Sequence, residues 1–353
     1  MKVSFIVPEI VRSGGMRVIF EYAGRLSLKG HEVTLYSPFI PFNPYRGQFN
    51  FNFTKYRIKY GLKNFTGKSV LPDNIFPHNF EIRYVPFVNN YFVDDADALI
   101  ATSWTTSYFV DNLNSKKGKK SYLVQDFEIW NCNSELSKKS YLLDLQKISV
   151  SEYLKKILQK NFQTDSAVIM PGINYSVFSN KNKLFGEKKV LSFADHSLEI
   201  KNIKGAVSTS VRLKEKYPEL EIIAFGNSQY NKFPDFINFV ACKDDSEVRD
   251  IYCKTSVFLF PSLYEGFGLP PAEAMACQCA VVGNKVAAFQ DYSVNNVSAV
   301  HCNPDNPDEL FEGVCSLLDD NEKLKRISET ASVEIRKVLD WNKSTDKFEE
   351  LIF

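Results

Sequence analysis

The stretch Phe260-Pro261-Ser262-Leu263-Tyr264-Glu265-Gly266-Phe267-Gly268-Leu269-Pro270-Pro271-Ala272-Glu273-Ala274-Met275-Ala276 leaves an apolar strand, crosses a glycine loop and opens a helix. Prolines suit a first helical turn, where the missing amide hydrogen costs no bond and the ring presets φ. Amides at a helix start have no partner inside the helix, and the dipole adds partial positive charge, so a phosphate or sugar oxygen can be held there. Pro270 and Pro271 cannot donate, which leaves the amides of Phe267, Gly268 and Leu269. Two carboxylates flank this anion site, Glu265 before the glycines and Glu273 one turn into the helix.

Outward from this unit, short apolar runs alternate with stretches of helical period, as parallel strands covered by helices on both faces require. In the second half, strands are predicted at 190–193, 221–225, 239–242, 257–260, 280–282 and 299–301, with helices over 201–216, 245–254, 270–276, 307–318 and 322–338. The first half repeats the pattern, with strands at 2–8, 32–37, 98–102, 121–125, 147–151 and 166–170. Its helices are predicted over 14–29, after Ser103, after Asn133 and over 152–160. Residues 39–80, rich in aromatics, Asn and basic side chains, interrupt the rhythm and read either as an acceptor-facing insertion or as aromatic cover for a sheet edge. A polar, Asn/Lys-rich turn over 171–188 marks the linker. The fold class is α/β, with an N-terminal Rossmann-like doubly wound domain over 1–180 and a second over 187–340. In the tail, Trp341, Phe348 and Ile352 fall at helical spacing, so 341–353 is expected to pack back on the first domain.

A length of 353 residues suits two cores rather than one. Lys and Arg number 43 against 42 Asp and Glu, a balance that excludes a dedicated nucleic-acid binder resting on phosphate neutralisation. No apolar run approaches membrane-spanning length and Met1 to Pro8 reads as a strand, which predicts a cytoplasmic protein. Seven scattered cysteines are expected to be reduced. Cys277 and Cys279 lack the further ligands of a zinc site, and the four histidines have no metal-ligand spacing, so no metal is expected.

In the segment 260–276, with its two glutamates separated by seven residues, the chain resembles glycosyltransferase family 4, whose retaining, nucleotide-sugar-dependent enzymes include bacterial polysaccharide-type members. Val7-Pro8 with Ser13-Gly14-Gly15, Gly30-His31-Glu32-Val33, Ser149-Val150-Ser151-Glu152 and Pro171-Gly172-Ile173-Asn174 are similar to further family segments in the same order. The resemblance implies a GT-B architecture, two Rossmann-like domains facing a cleft. It also implies that Glu265 contacts donor-sugar hydroxyls and that Glu273 binds the ribose hydroxyls. Without it, Glu265 makes a turn and Glu273 complements the helix dipole. Gly14 and Gly15 would let the backbone approach the diphosphate or acceptor, or form a plain strand-to-helix turn. Gly226, at the end of its strand, is a further donor-binding candidate.

Family members carry an Arg after the first strand of the second domain and a Lys a few residues on, both facing the diphosphate. Here His196 stands in the Arg position and Lys201 in the Lys position, with Lys204 as the alternative. His cannot reproduce the planar guanidinium fork, so a weaker charge clamp is expected. Where relatives place a His near the reacting sugar, this chain has Gln125-Asp126. Gln125 is a hydrogen-bonding residue and not a base, and Asp126 either orients the acceptor or caps a turn. The expected function is transfer of a hexose from a nucleoside diphosphate sugar to a hydroxyl of a glycan or lipid-linked acceptor in cell-envelope polysaccharide synthesis, without cofactor or metal. The alternatives are a catalytically weak nucleotide-sugar-binding subunit of a transferase complex, and a GT-B epimerase or phosphorylase. Lys116, Lys117, Lys119, Lys120 and the 45–68 stretch suggest weak peripheral association with the inner face of the cell membrane, or simply a solvated surface.

Overall fold

The computed structural model describes residues 1–10, 13–39, 79–128, 134–180, 183 and 188–353. The chain divides into two compact units, Met1–Pro171 with Asn342–Phe353, and Gly172–Trp341. Nearly all of the 39–80 insertion, including His78, and Cys132 fall outside the described residues.

Among the described residues the first unit holds seven strands: β1 Lys2–Ile6, β2 Glu32–Pro38, β3 Glu81–Val85, β4 Ala98–Ala101, β5 Lys119–Val124, β6 Gln146–Ser149 and β7 Ala167–Val168. They lie in the order β3-β2-β1-β4-β5-β6-β7, every pairing parallel. The central strands are apolar and buried on both faces, the condition for a parallel sheet under two helical layers. Helix Gly14–Leu28 is capped by Ser13, whose hydroxyl accepts from the Met16 amide. Helix Trp341–Ile352 completes this unit's core: Phe348 is fully buried, its ring 4.3 Å from Tyr22 and 6.1 Å from Phe5.

The second unit has β8 Val190–Ala194, β9 Glu221–Gly226, β10 Ile237–Ala241, β11 Val257–Phe260, β12 Ala280–Asn284 and β13 Val300–Cys302. The order β10-β9-β8-β11-β12-β13 is again parallel throughout. Strand order reverses direction between β8 and β11, and open α/β sheets bind ligands outside the carboxyl ends of the strands at such a switch point. The loops at those two ends, 195–202 and 261–268, therefore mark the functional edge.

Two readings from sequence need correction. The edge strand β3 was not foreseen, because half-exposed Ile82, Arg83 and Tyr84 give no apolar run. The helix expected to begin at Lys201 begins at Ile203; Lys201 ends a short 3-10 turn, and Asn202, at φ 52°, caps the helix by accepting from the Gly205 amide. The division between units comes after Pro171, at the first residue of the polar 171–188 turn. Residues after it are held by the second unit, where the Tyr175 hydroxyl donates to the carbonyls of Ile335 and Leu339.

Candidate functional site

At the end of β11 the chain turns through 261–268 into helix Leu269–Ala276. Gly268 caps this helix at φ 87°, a left-handed conformation that favours glycine, and no side chain serves as cap. The buried Tyr292 hydroxyl donates to the Gly268 carbonyl at 2.8 Å and orients that peptide. Among the described residues, the amides of Phe267, Gly268 and Leu269 have no acceptor. Glu273, one turn further, is 5% exposed.

The neighbouring 195–202 loop is laced to this one. The Leu263 amide donates to the Ile200 carbonyl at 2.8 Å, and the Asn202 side chain donates to the Pro261 carbonyl at 3.2 Å. Buried Asn284, at the end of β12, donates to the carbonyls of Pro261 at 2.8 Å and Ser262 at 3.2 Å. This lacing brings Lys201 Nζ to 2.6 Å from Glu265 Oε1, both largely buried. Lys204 instead stands exposed on the first turn of its helix.

His196 lies in the same loop. Its Nδ1 accepts from the Leu198 amide at 3.0 Å, so the neutral ring carries its hydrogen on Nε2. Partial desolvation of the ring, on a residue that stays exposed overall, and the Lys201 ammonium hold it below the usual imidazole range, against the pull of Glu265 and Asp195. Asp195 is buried and occupied, accepting from the Tyr230 amide at 2.7 Å and the Asn231 side chain at 2.6 Å. Asn231 also donates to the His196 carbonyl, and Tyr230 packs against the His196 ring at 6.3 Å. Gly226 ends β9 beside Asp195: a Cβ there would meet the Asp195 carbonyl oxygen at 3.3 Å.

In the first unit, Gly14 and Gly15 begin the helix after β1, and Gln125 and Asp126 follow β5. A Cβ on Gly15 would sit 3.5 Å from Gln125 Oε1, so the structure brings these two together. Asp126 Oδ1 accepts from the Phe127 amide at 2.8 Å, as a turn residue does. Glu128 was not singled out from sequence. Its carboxylate accepts from the Trp104 amide at 2.8 Å, at the start of helix Trp104–Asn112, and its own amide donates to the Tyr141 hydroxyl. Burial, reinforced by Asp126, pushes its pKa up to about 8 despite the Trp104 and Tyr122 hydrogen bonds.

Asn202, Asn284, Asp195 and Asn231 also escaped the sequence reading. Only Asn202 carried a usable signal, an N-cap residue ahead of a helix; the others act through contacts between distant segments. Asp94 pairs with Arg83, Asp95 pairs with Lys117, and Asp244 caps helix Asp245–Lys254. No group of three or more His, Cys, Asp or Glu arranged for a metal is found among the described residues. Within the same residues, no helix is long and apolar enough to cross a membrane.

Residues 176–333 match the family model for glycosyl transferases group 1. An uncharacterized glycosyltransferase of Methanocaldococcus jannaschii is 25% identical over 204 residues, 56% of each chain. The O-antigen chain mannosyltransferase RfbU of Salmonella typhimurium is 26% identical over 45% of this chain and 47% of its own. The matched region thus spans about half the length of these relatives. Among solved structures, Anabaena HepE in complex with UDP-glucose superposes with a TM-score of 0.75 at 13% identity, covering 99% of both chains. Sucrose-phosphate synthase from Thermosynechococcus elongatus gives 0.72 at 13% identity over 99% of this chain and 98% of its own. These likenesses cover both sheets and give the architecture as GT-B.

Proposed function

From the match of residues 176–333 to the group 1 glycosyltransferases, we propose that this chain transfers a hexose from a nucleoside diphosphate sugar to an acceptor hydroxyl, with retention at the anomeric carbon. The observation that carries this reading is the row of unpaired amides at Phe267, Gly268 and Leu269 beside the Lys201–Glu265 pair, at the switch point of the sheet. Three amides and an ammonium suit a diphosphate whose negative charge grows as it leaves.

In this reading Glu265, which already accepts a hydrogen bond from Lys201, shares it with the donor sugar's hydroxyls, and Glu273 accepts from the two ribose hydroxyls. Gly226 and His196 border the diphosphate. The bond from the anomeric carbon to phosphate oxygen breaks as the acceptor oxygen bonds on the same face, and the acceptor proton passes to the leaving phosphate. No enzymic nucleophile is required. Gly14, Gly15, Gln125 and Asp126 serve the acceptor side, Gln125 as a hydrogen-bonding group near the sugar. The acceptor is a glycan or lipid-linked hydroxyl of a cell-envelope polysaccharide, and no metal takes part. Of the four clustered lysines only Lys117 is paired with a carboxylate, that of Asp95, among the described residues, and so small a cluster suits a weak pull toward anionic lipid.

Relatives named as mannosyltransferases make GDP-mannose the first donor to try, beside UDP- and dTDP-hexoses. Purified protein should transfer or slowly hydrolyse one of them. Lys201→Ala should cut the rate about 10²-fold, the scale for loss of one preorganised donor. Glu273→Ala should abolish donor binding. Unchanged rates in both variants remove the assignment.

A second reading, a nucleotide-sugar-binding subunit without turnover, is favoured by the uncharged His196 in place of a guanidinium. Calorimetric donor binding without transfer or hydrolysis across an acceptor panel selects it.

A further inference from the structure

The 195–202 loop holds an imidazole in a defined state that no phosphate-binding arginine shares. The Leu198 amide occupies Nδ1, so Nε2–H is the ring's donor. From its own loop the ring faces Lys201 and Asp195, from the 261–268 loop Glu265, and from the 227–231 loop Tyr230. Asp195 is saturated by Tyr230 and Asn231, and the Lys201 ammonium is shared with Glu265. The balance leaves the ring neutral at pH 7 in the free protein. A diphosphate in the proposed donor site, beside the Lys201–Glu265 pair that neighbours the ring, brings negative charge that none of these neighbours cancels in full.

We propose that His196 is a proton-coupled donor-binding residue: it meets the diphosphate of the nucleotide sugar with Nε2–H and takes up one proton as the complex forms. This rests on the donor-site reading above and deepens it. An arginine would give a fixed charge; the histidine makes donor affinity depend on pH. The sign follows from linkage. Binding raises the ring's pKa, so between the free and bound values the complex holds more protons than the free protein, and affinity rises as pH falls. Each unit of that rise is worth about tenfold in affinity, present in full below the free-protein pKa and lost above that of the complex.

The probes are GDP-mannose, UDP-glucose and dTDP-glucose. Both ends of their diphosphate are esterified, so the ligand exchanges no phosphate proton in this range. Titration calorimetry near pH 7 in two buffers of different ionisation heat should show net proton uptake by the wild-type protein. Its affinity should rise roughly tenfold from about pH 8 to about pH 6. His196→Gln keeps a neutral donor but cannot titrate, and His196→Arg supplies permanent charge; both should show no uptake and a flat profile, with the Arg variant the tighter at high pH. A wild-type protein that binds donor without proton uptake overturns the proposal, and so does uptake that persists in His196→Gln. In either case, binding that Glu273→Ala abolishes leaves the donor site standing. Failure of all three donors to bind the wild type removes both.

Discussion

Glu128 is an acid held against its own chemistry. The Trp104 amide at a helix start favours the carboxylate, yet burial outweighs it and the pKa stands at about 8. The unfolded chain releases this proton near the ordinary value of 4.5, so between about 4.5 and about 8 the folded state binds more protons than the unfolded. Stability from this group is complete at low pH and is lost as pH rises through that window. Glu128→Gln, which keeps the shape of the neutral acid, should be nearly silent at pH 5 and stabilising relative to wild type at pH 8. Urea denaturation at the two values checks this, and parallel slopes would refute it. Gly268 poses a backbone question. At φ 87° an added Cβ would stand 3.3 Å from Tyr292 Oη and crowd its bond to the Gly268 carbonyl. Gly268→Ala should cost about 1–2 kcal/mol in left-handed strain and also weaken donor binding. Gly30→Ala, at φ 92° with open space around it, should show the stability loss alone.

Among the elements, the two loops of the proposed donor site are joined by asparagines as well as by the Lys201–Glu265 pair. Asn202 and Asn284 both donate to the Pro261 carbonyl, one from the 195–202 loop and one from the end of β12. Alanine at either removes one of the two donors to this carbonyl, a loss of about 0.5–1.5 kcal/mol while the other remains, and loosens the segment that carries Glu265. The expected kinetic signature is a raised KM for donor. Because the two share one acceptor, their effects should fail to add in a double-mutant cycle, and strict additivity would show that the lacing is not a unit. This level is also where legibility from sequence divides. The strands β8 and β11 and the helix start at Leu269 were readable because an apolar run, a glycine turn and paired prolines are local signals. Asn284, the Asp195–Asn231 clasp and Glu128 were not, since each is defined by a partner 22 or more residues away, and for Asn202 only the helix cap is local while its bond to Pro261 is not. β3 was missed for the complementary reason: an edge strand pairs on one side only and needs little apolar character.

At the scale of the molecule, the chain leaves its first unit at Pro171 and returns to it at Asn342. A side chain at Gly172 would overlap Trp341, so the outgoing and returning segments run against each other where they serve the second unit. The last twelve residues, 342–353, then do work for a sheet whose strands ended far earlier in sequence. Phe348 fills the space over Tyr22 and Phe5, while Lys29 and His31 pair with Glu349 at the rim. Large-to-small substitution at a site that cannot collapse costs about 3–5 kcal/mol for phenylalanine, so Phe348→Ala should lower the melting temperature of the first unit well beyond any rim substitution such as Glu349→Gln. The proposed donor site lies in the other unit, whose core of Leu191, Phe193, Val257, Leu259 and Val282 includes, among the described residues, nothing from this helix. Phe348→Ala should therefore separate two activities that a shared core would lose together: nucleotide-sugar affinity by calorimetry should persist near the wild-type value at temperatures where transfer to acceptor has failed. If donor affinity and transfer instead fall in step as the temperature rises, the second unit does not bind nucleotide sugar independently of the first.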